Sequence, residues 1–377
     1  MKKGERYENT SISHLLSQKR DLGQDNFLTK DEELWLAGAK IICVIHKRIC
    51  RVRGWSLEEY SGGIHDMTMK KTVFRYEWRM TLILATLTVG ACDAVNEAVD
   101  AINDIGIDAD VHYYVSLGTS LSVGVQPNGS GVLLPSDDGY SDQLFAIIKP
   151  AFDTTGAQPR ELRLIKLGCP GETLDDMTNG GNCLYVAGSQ LDAAVDFLTD
   201  NLGKVHLVTI DMGGNDFRNA GCIGATVDLD CANAVSAQIS TDLAAVLVTL
   251  RDAAGPDTTI VGMNYYNPYL ASWLEDTAGQ TLAVESAQAV AVAMDFLGTT
   301  YATEGMPLAD VAAAFESDNF VNMVSSSLPS PNNVLPVNVA NICLLTYMCD
   351  PPPVGPDIHA NAAGYGLIAD TFAAVLP

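Results

Sequence analysis

Short, almost continuously apolar runs recur through the second two-thirds of the chain: "VHYYVSL" from Val111, "LRLIKL" from Leu162, "KVHLVTI" from Lys204 and "TTIVGM" from Thr258, with "DVAAAF" from Asp310 a weaker fifth. Runs this short that lack polar alternation predict strands buried on both faces of a parallel sheet. Helical patterns alternate with them at 141–148, 189–202, 234–254, 280–297 and 361–375. The β, α, β, α order predicts an α/β fold, a three-layer α/β/α sandwich with a central parallel sheet. In such a sheet ligands bind beyond the carboxyl ends of the strands. Chemistry is therefore expected in "SLGTSLSVG" after the first strand, "GCPGET" after Leu167, "DMGGND" after Ile210 and "NYYNPY" after Met263.

Upstream the pattern changes. Lys70, Lys71, Arg75 and Arg79 precede an apolar run from Thr81 to Ala91, which ends at Cys92. Eleven apolar or small residues are too few to span a bilayer, yet they suit the hydrophobic region of a signal peptide. The ending "VGAC" resembles the lipobox of bacterial lipoproteins, which implies lipidation of Cys92 and a membrane tether. Glu77 in the charged region weighs against that reading, and a buried helix is its competitor. The expected organisation is an extension at 1–66 outside the mature protein, a signal segment at 67–92, an acidic tether or short first helix at 93–110, and one domain at 111–377. The implied location is exported, periplasmic or cell-surface.

Composition narrows the partners. Of 377 residues, 47% are apolar and 18% charged, which suits a soluble globular protein with a sizeable core. From Cys92 onward, 7 basic side chains face 35 acidic ones. That surface repels phosphate backbones, so nucleic acid is excluded as a partner, and neutral or cationic substrates are favoured over anionic ones. Acidity also simply keeps a protein soluble. Six further cysteines fall in close pairs, Cys169 with Cys183, Cys222 with Cys231 and Cys343 with Cys349. Even numbers at short separations read as local disulfides of an oxidising compartment. Zinc is the rival reading, but no CxxC and no histidine at ligand spacing accompanies any pair, so neither a metal nor a cofactor is expected.

Nucleophilic catalysis requires a hydroxyl, a base and donors for the oxyanion. Three histidines follow Cys92. His112 and His206 lie inside predicted strands, where a core imidazole is expected. His359, in a proline-flanked loop before the last helix, is the candidate base. Gly171 and Asn215 offer a backbone N–H and a side-chain amide at two other strand ends, although turns of this kind also serve as plain caps.

Taken together, four stretches resemble the SGNH hydrolases, the wider group of the GDSL esterases and lipases. "SLGTSLSVG" is similar to the first block, "GCPGET" to the second, "GGND" at 213–216 to the third and "DIHANAAGYGLIA" to the last. The stretches "GETLDDM", "GSQLDAAVDFL" and "MNYYNPYLASWL", with the cysteine pairs, look like the secreted bacterial branch. The resemblance covers 111–377. It implies a flavodoxin-like sheet, Ser120 as nucleophile, His359 as base, and an oxyanion hole of the Ser120 and Gly171 N–H groups and the Asn215 amide.

Two positions depart from the pattern. Thr119 stands where the usual Gly-Asp-Ser-Leu has Asp, and the acid that the family carries three residues before the histidine is Pro356 here. Asp357, two residues before His359, either reaches the imidazole or leaves a backbone carbonyl near Pro356 to hold it. The implied function is hydrolysis of carboxylic esters with short to medium acyl chains, small-molecule or lipid, with Tyr265, Tyr266, Tyr269 and Trp273 as candidate pocket walls. A lysophospholipase or polysaccharide deacetylase on the same site, a binding lipoprotein that retained the fold, and a carboxylate-based metal hydrolase are the alternatives.

Overall fold

The computed structural model describes residues 110–154, 160–328 and 333–377. The 1–66 extension, the signal segment, Cys92 and nearly all of the acidic tether lie outside the described residues.

Five strands build the central sheet: β1 (Asp110–Gly118), β2 (Arg160–Lys166), β3 (Val205–Asp211), β4 (Thr259–Met263) and β5 (Leu308–Ala309). Their spatial order is β2-β1-β3-β4-β5, and every pairing is parallel. This is the doubly wound order 2-1-3-4-5, in which the direction of winding reverses between β1 and β3 and a crevice opens at their carboxyl ends. Nine helices follow or interrupt the strands among the described residues: α1 (Tyr140–Thr154), α2 (Leu174–Asn179), α3 (Gln190–Asp200), α4 (Gly214–Asn219), α5 (Leu229–Ala254), α6 (Thr277–Thr303), α7 (Val311–Ala314), α8 (Val337–Leu345) and α9 (Ala362–Ala374).

The continuous apolar runs are explained by the two layers. Along β1, Tyr114 joins Leu162, Leu207 and Val261 in one core, while Val115 and Leu117 join Val208, Ile210 and Ile260 in the other. Successive side chains point to opposite faces, so a strand covered on both sides needs apolar residues at both parities. On the Tyr114 side lie α1, α8 and α9, through Leu144, Ile342 and Phe372; Tyr140 stacks on Phe372 with centroids 4.9 Å apart. On the other lie α3, α5 and α6, through Leu198, Leu243 and Leu297. Ser189, Asp228, Asp276 and Asn361 cap α3, α5, α6 and α9 by accepting first-turn N–H groups, each satisfying a donor the helix leaves open.

Three expectations change. "DVAAAF" is not a strand: the Asp310 side chain accepts the Ala313 N–H and starts α7, and β5 is the two-residue pair just before it. A carboxylate at a first-turn N–H and a run of alanines favour helix over sheet. His112 and His206 are not core imidazoles. His206 is exposed, and His112 pairs with Asp110 at 2.9 Å; both rings pack against Phe152 at the amino ends of their strands. Helices α2, α4 and α8 and two small hairpins were not foreseen, being too short for a period to register. All three cysteine pairs form disulfides.

Candidate active site

The chain leaves β1 through Gly118, whose φ is +129° and where a Cβ would stand 2.5 Å from Asp211 Oδ1. Only glycine turns off the sheet at that point. Gln190 brackets the same peptide: its Oε1 accepts the Gly118 N–H at 2.6 Å and its Nε2 donates to the Gly118 carbonyl at 3.0 Å. Thr119 is tied to β3, its N–H and hydroxyl donating to Asp211 Oδ1 at 2.6 and 2.8 Å. The turn closes as the Val125 N–H donates to the Ser120 carbonyl at 2.9 Å and the Ser122 hydroxyl to the Thr119 carbonyl at 2.7 Å. Ser120 is held at the crest, half-buried. Its N–H and hydroxyl form no hydrogen bond among the described residues.

The second and third blocks meet beside it. The Cys169 N–H donates to the Gly118 carbonyl at 2.9 Å, joining the loop after β2 to the serine turn. Asp216 accepts the Leu174 N–H at 3.0 Å, joining α4 to α2. Asn215, at the start of α4, is buried and gives one amide hydrogen to the Glu172 carbonyl at 2.9 Å, which leaves the other free. Gly171 has φ +79°, is exposed, and keeps its N–H free of partners among the described residues.

His359 arrives from the far end of the chain. Its loop runs beside the segment that follows α8: Tyr347 N–H donates to the His359 carbonyl at 3.1 Å, Asp357 N–H to the Tyr347 carbonyl at 3.0 Å, and Asn361 N–H to the Leu345 carbonyl at 3.0 Å. The Cys343–Cys349 disulfide closes that segment, and the Tyr266 hydroxyl donates to the Ile358 carbonyl at 2.7 Å. So held, Asp357 Oδ1 lies 2.7 Å from His359 Nδ1 and accepts the His359 backbone N–H at 3.0 Å. Two residues of separation suffice because the same carboxyl oxygen serves ring and backbone. With Nδ1 taken by the carboxylate, Nε2 is the nitrogen available to a substrate.

Ser120, Asn215 and His359 line one open cavity of about 840 Å3, a volume that includes solvent at its opening. Phe217, Tyr265, Tyr266 and Tyr269 also line it, as do Ile239 of α5 and Val290, Ala293, Met294 and Leu297 of α6. Arg218 lines the same space, whereas Gly171 is on the neighbouring loop and not part of the lining. Trp273 stays outside it, packed on Phe320 with centroids 5.8 Å apart.

No family model matches the chain, and no curated protein does. Solved structures are similar in fold. A phospholipase A1 from Streptomyces albidoflavus NA297 aligns at 19% identity over 70% of this chain and 98% of its own, with a TM-score of 0.41. An extracellular lipase from Streptomyces rimosus aligns at 18% identity over 70% of this chain and 100% of its own, with a TM-score of 0.42. The lipase Lip_vut3 from a goat rumen metagenome aligns at 16% identity over 70% and 96%, with a TM-score of 0.42.

The carboxyls around the site fall into two classes. Burial pulls Asp357 upward, but the His359 ring and backbone N–H groups and the nearby charges of His359 and Arg218 outweigh it and hold the carboxyl below its usual range. It is therefore ionised at neutral pH. Burial pushes Asp211 up to about 7 against the two Thr119 donors, and pushes Glu172 up to about 7 against its hydrogen bond from Gln190. Among the described residues no three His, Cys, Asp or Glu side chains cluster closely enough to hold a metal ion. Sequence reading missed Gln190, Asp211 and Glu172, none of which faces the cavity. A buried Gln, Asp or Glu beside a glycine turn gives no periodic signal, and only the motif stretches around them hinted at their place.

Proposed function

We propose that the protein is a serine esterase that cleaves carboxylic esters through an acyl-enzyme. Ser120 Oγ attacks the ester carbonyl while His359 Nε2 takes its proton. The oxyanion is held by the Ser120 and Gly171 N–H groups and the free hydrogen of the Asn215 amide. His359 then returns the proton to the leaving alcohol, and a water molecule repeats the sequence on the acyl-serine. Asp357 holds the ring in the required tautomer and stabilises the imidazolium.

The observation that carries this reading is the convergence of Ser120, Asn215 and His359 on one cavity from three distant segments, with His359 already oriented by Asp357. Unengaged N–H groups beside a serine are what an oxyanion hole requires. The aliphatic lining from α5 and α6 supports an acyl chain of short to medium length against those side chains. The test is hydrolysis of p-nitrophenyl esters of two to twelve acyl carbons by the wild-type protein and its Ser120→Ala variant. Activity lost in the variant supports the esterase; equal activity in both refutes it.

Export is part of the same proposal. Three disulfides support an oxidising compartment, and the 67–92 stretch supplies a signal segment with Cys92 as the lipid-bearing residue. Intact mass of protein made from its native promoter tests this; a mature chain that starts well before Cys92 overturns it.

A further inference from the structure

Asp211 and Glu172 are both fully buried carboxyls with one oxygen lacking a partner among the described residues, and Asp211 is the one bonded to the serine turn. It is fully buried at the end of β3 and is the register partner of Gly118 on β1. One carboxyl oxygen, Oδ1, takes both bonds from Thr119, while Oδ2 has no partner among the described residues. A buried carboxyl with one oxygen unsatisfied is destabilising, so this side chain is not explained by stability alone. Its two short hydrogen bonds both come from the residue before Ser120, and the Tyr140 hydroxyl and the Ser122 N–H add weaker support to its charged form.

Thr119 complements it. Where the resembled pattern carries a carboxylate at this position, the chain has a hydroxyl, and a carboxylate stands across the register at 211 with its oxygen 2.8 Å from that hydroxyl. In this chain the hydroxyl at 119 is the donor and the carboxylate at 211 the acceptor. We propose that Asp211 is a positioning residue that sets the height and direction of Ser120 by holding Thr119 through its N–H and hydroxyl, and that positions 119 and 211 form an exchangeable donor–acceptor pair. This rests on Ser120 being the nucleophile.

Exchange is chemically balanced. Threonine at 211 accepts the residue-119 N–H and donates its hydroxyl to an aspartate at 119. The single change Thr119→Asp instead sets two carboxyls against each other and displaces the turn. A displacement near 1 Å at a reacting atom costs about a hundredfold in turnover.

The experiment measures kcat, KM, thermal melting and Ser120 labelling by a fluorophosphonate in wild type, Thr119→Asp and Thr119→Asp/Asp211→Thr. Thr119→Asp is expected to lose about a hundredfold or more in kcat with KM within about threefold, and the double variant to regain at least about tenfold of that loss. A double variant no faster than Thr119→Asp, or Thr119→Asp with wild-type kcat, overturns the proposal. Should Thr119→Asp fail to fold, Thr119→Val and Thr119→Ser replace it: Val is expected to lose about tenfold in kcat and Ser to keep wild-type kcat, and a Val variant at wild-type kcat overturns the proposal. Absence of fluorophosphonate on Ser120 in the wild type, by contrast, defeats the esterase reading itself.

Discussion

Asp357 offers the sharpest test of the site, because two different substitutions should fail by different amounts. Its Oδ1 accepts the His359 ring N–H at 2.7 Å and the backbone N–H at 3.0 Å, and the group is ionised at neutral pH. A hydrogen bond to a charged acceptor contributes about 1.5–3 kcal/mol. The ring bond strengthens further when His359 becomes an imidazolium, so most of that contribution falls on the transition state. Asp357→Ala should therefore lower kcat by about 10- to 150-fold with little change in KM. Asp357→Asn should be worse, because its amide can turn and donate to Nδ1, which puts the ring proton on Nε2 and leaves no base for Ser120; the corresponding change in a well-studied triad costs about 10⁴-fold. The assay is steady-state hydrolysis of p-nitrophenyl butyrate at pH 7.5, with circular dichroism to confirm folding. Asn at wild-type turnover would refute the reasoning and hand the orienting role to a backbone carbonyl.

Three further outcomes are expected. Asn215→Ala removes one oxyanion donor and should cost about 3–4 kcal/mol of transition-state stabilisation, a loss of hundreds-fold or more in kcat; near-normal turnover would remove Asn215 from the site. Ala293→Phe adds a ring to the aliphatic lining that Leu297 and Met294 share and should shift the preferred p-nitrophenyl ester to shorter chains, whereas an unchanged chain-length profile would place the acyl group elsewhere. Asp211 and Glu172 keep their protons in the folded protein up to about pH 7, while the unfolded chain releases them near pH 4. The native state thus binds more protons across that window, so these two groups make stability fall as pH rises from about 4 to about 7, by up to about 1.4 kcal/mol per pH unit each. Urea melts of wild type and Glu172→Gln across that range check it, and identical slopes in both would disprove the assignment to Glu172.

The elements were legible because their signals are local. Continuous apolar runs marked four strands within a residue or two, and caps such as Ser189 and Asn361 stand where the helical patterns begin. "DVAAAF" misled for the same reason: six residues carry too little pattern to separate a capped alanine turn from a buried strand. Ser120, Asn215 and His359 could be named because each sits in a short stretch of unusual chemistry at a strand end. Asp357 could be named only as a neighbour of His359, since what brings its carboxyl to the ring is the pinning of the loop by Tyr347 and Tyr266.

The sequence by itself thus determined the main elements, the layered class and the candidates for the reactive groups, all of which are written within a turn of helix or a few residues of strand. Which strand end lies beside which was decided only by the tertiary structure. Gly118 meets Asp211 across 93 positions of chain, Gln190 brackets Gly118 across 72, and Tyr365 of α9 donates to the Val125 carbonyl across 240. Such pairings depend on sheet order and on the packing of α1, α5, α6 and α9 about it. A buried carboxyl bonded to the residue before Ser120 has no periodicity and no spacing rule, and it reaches that position only when β1 and β3 are laid side by side.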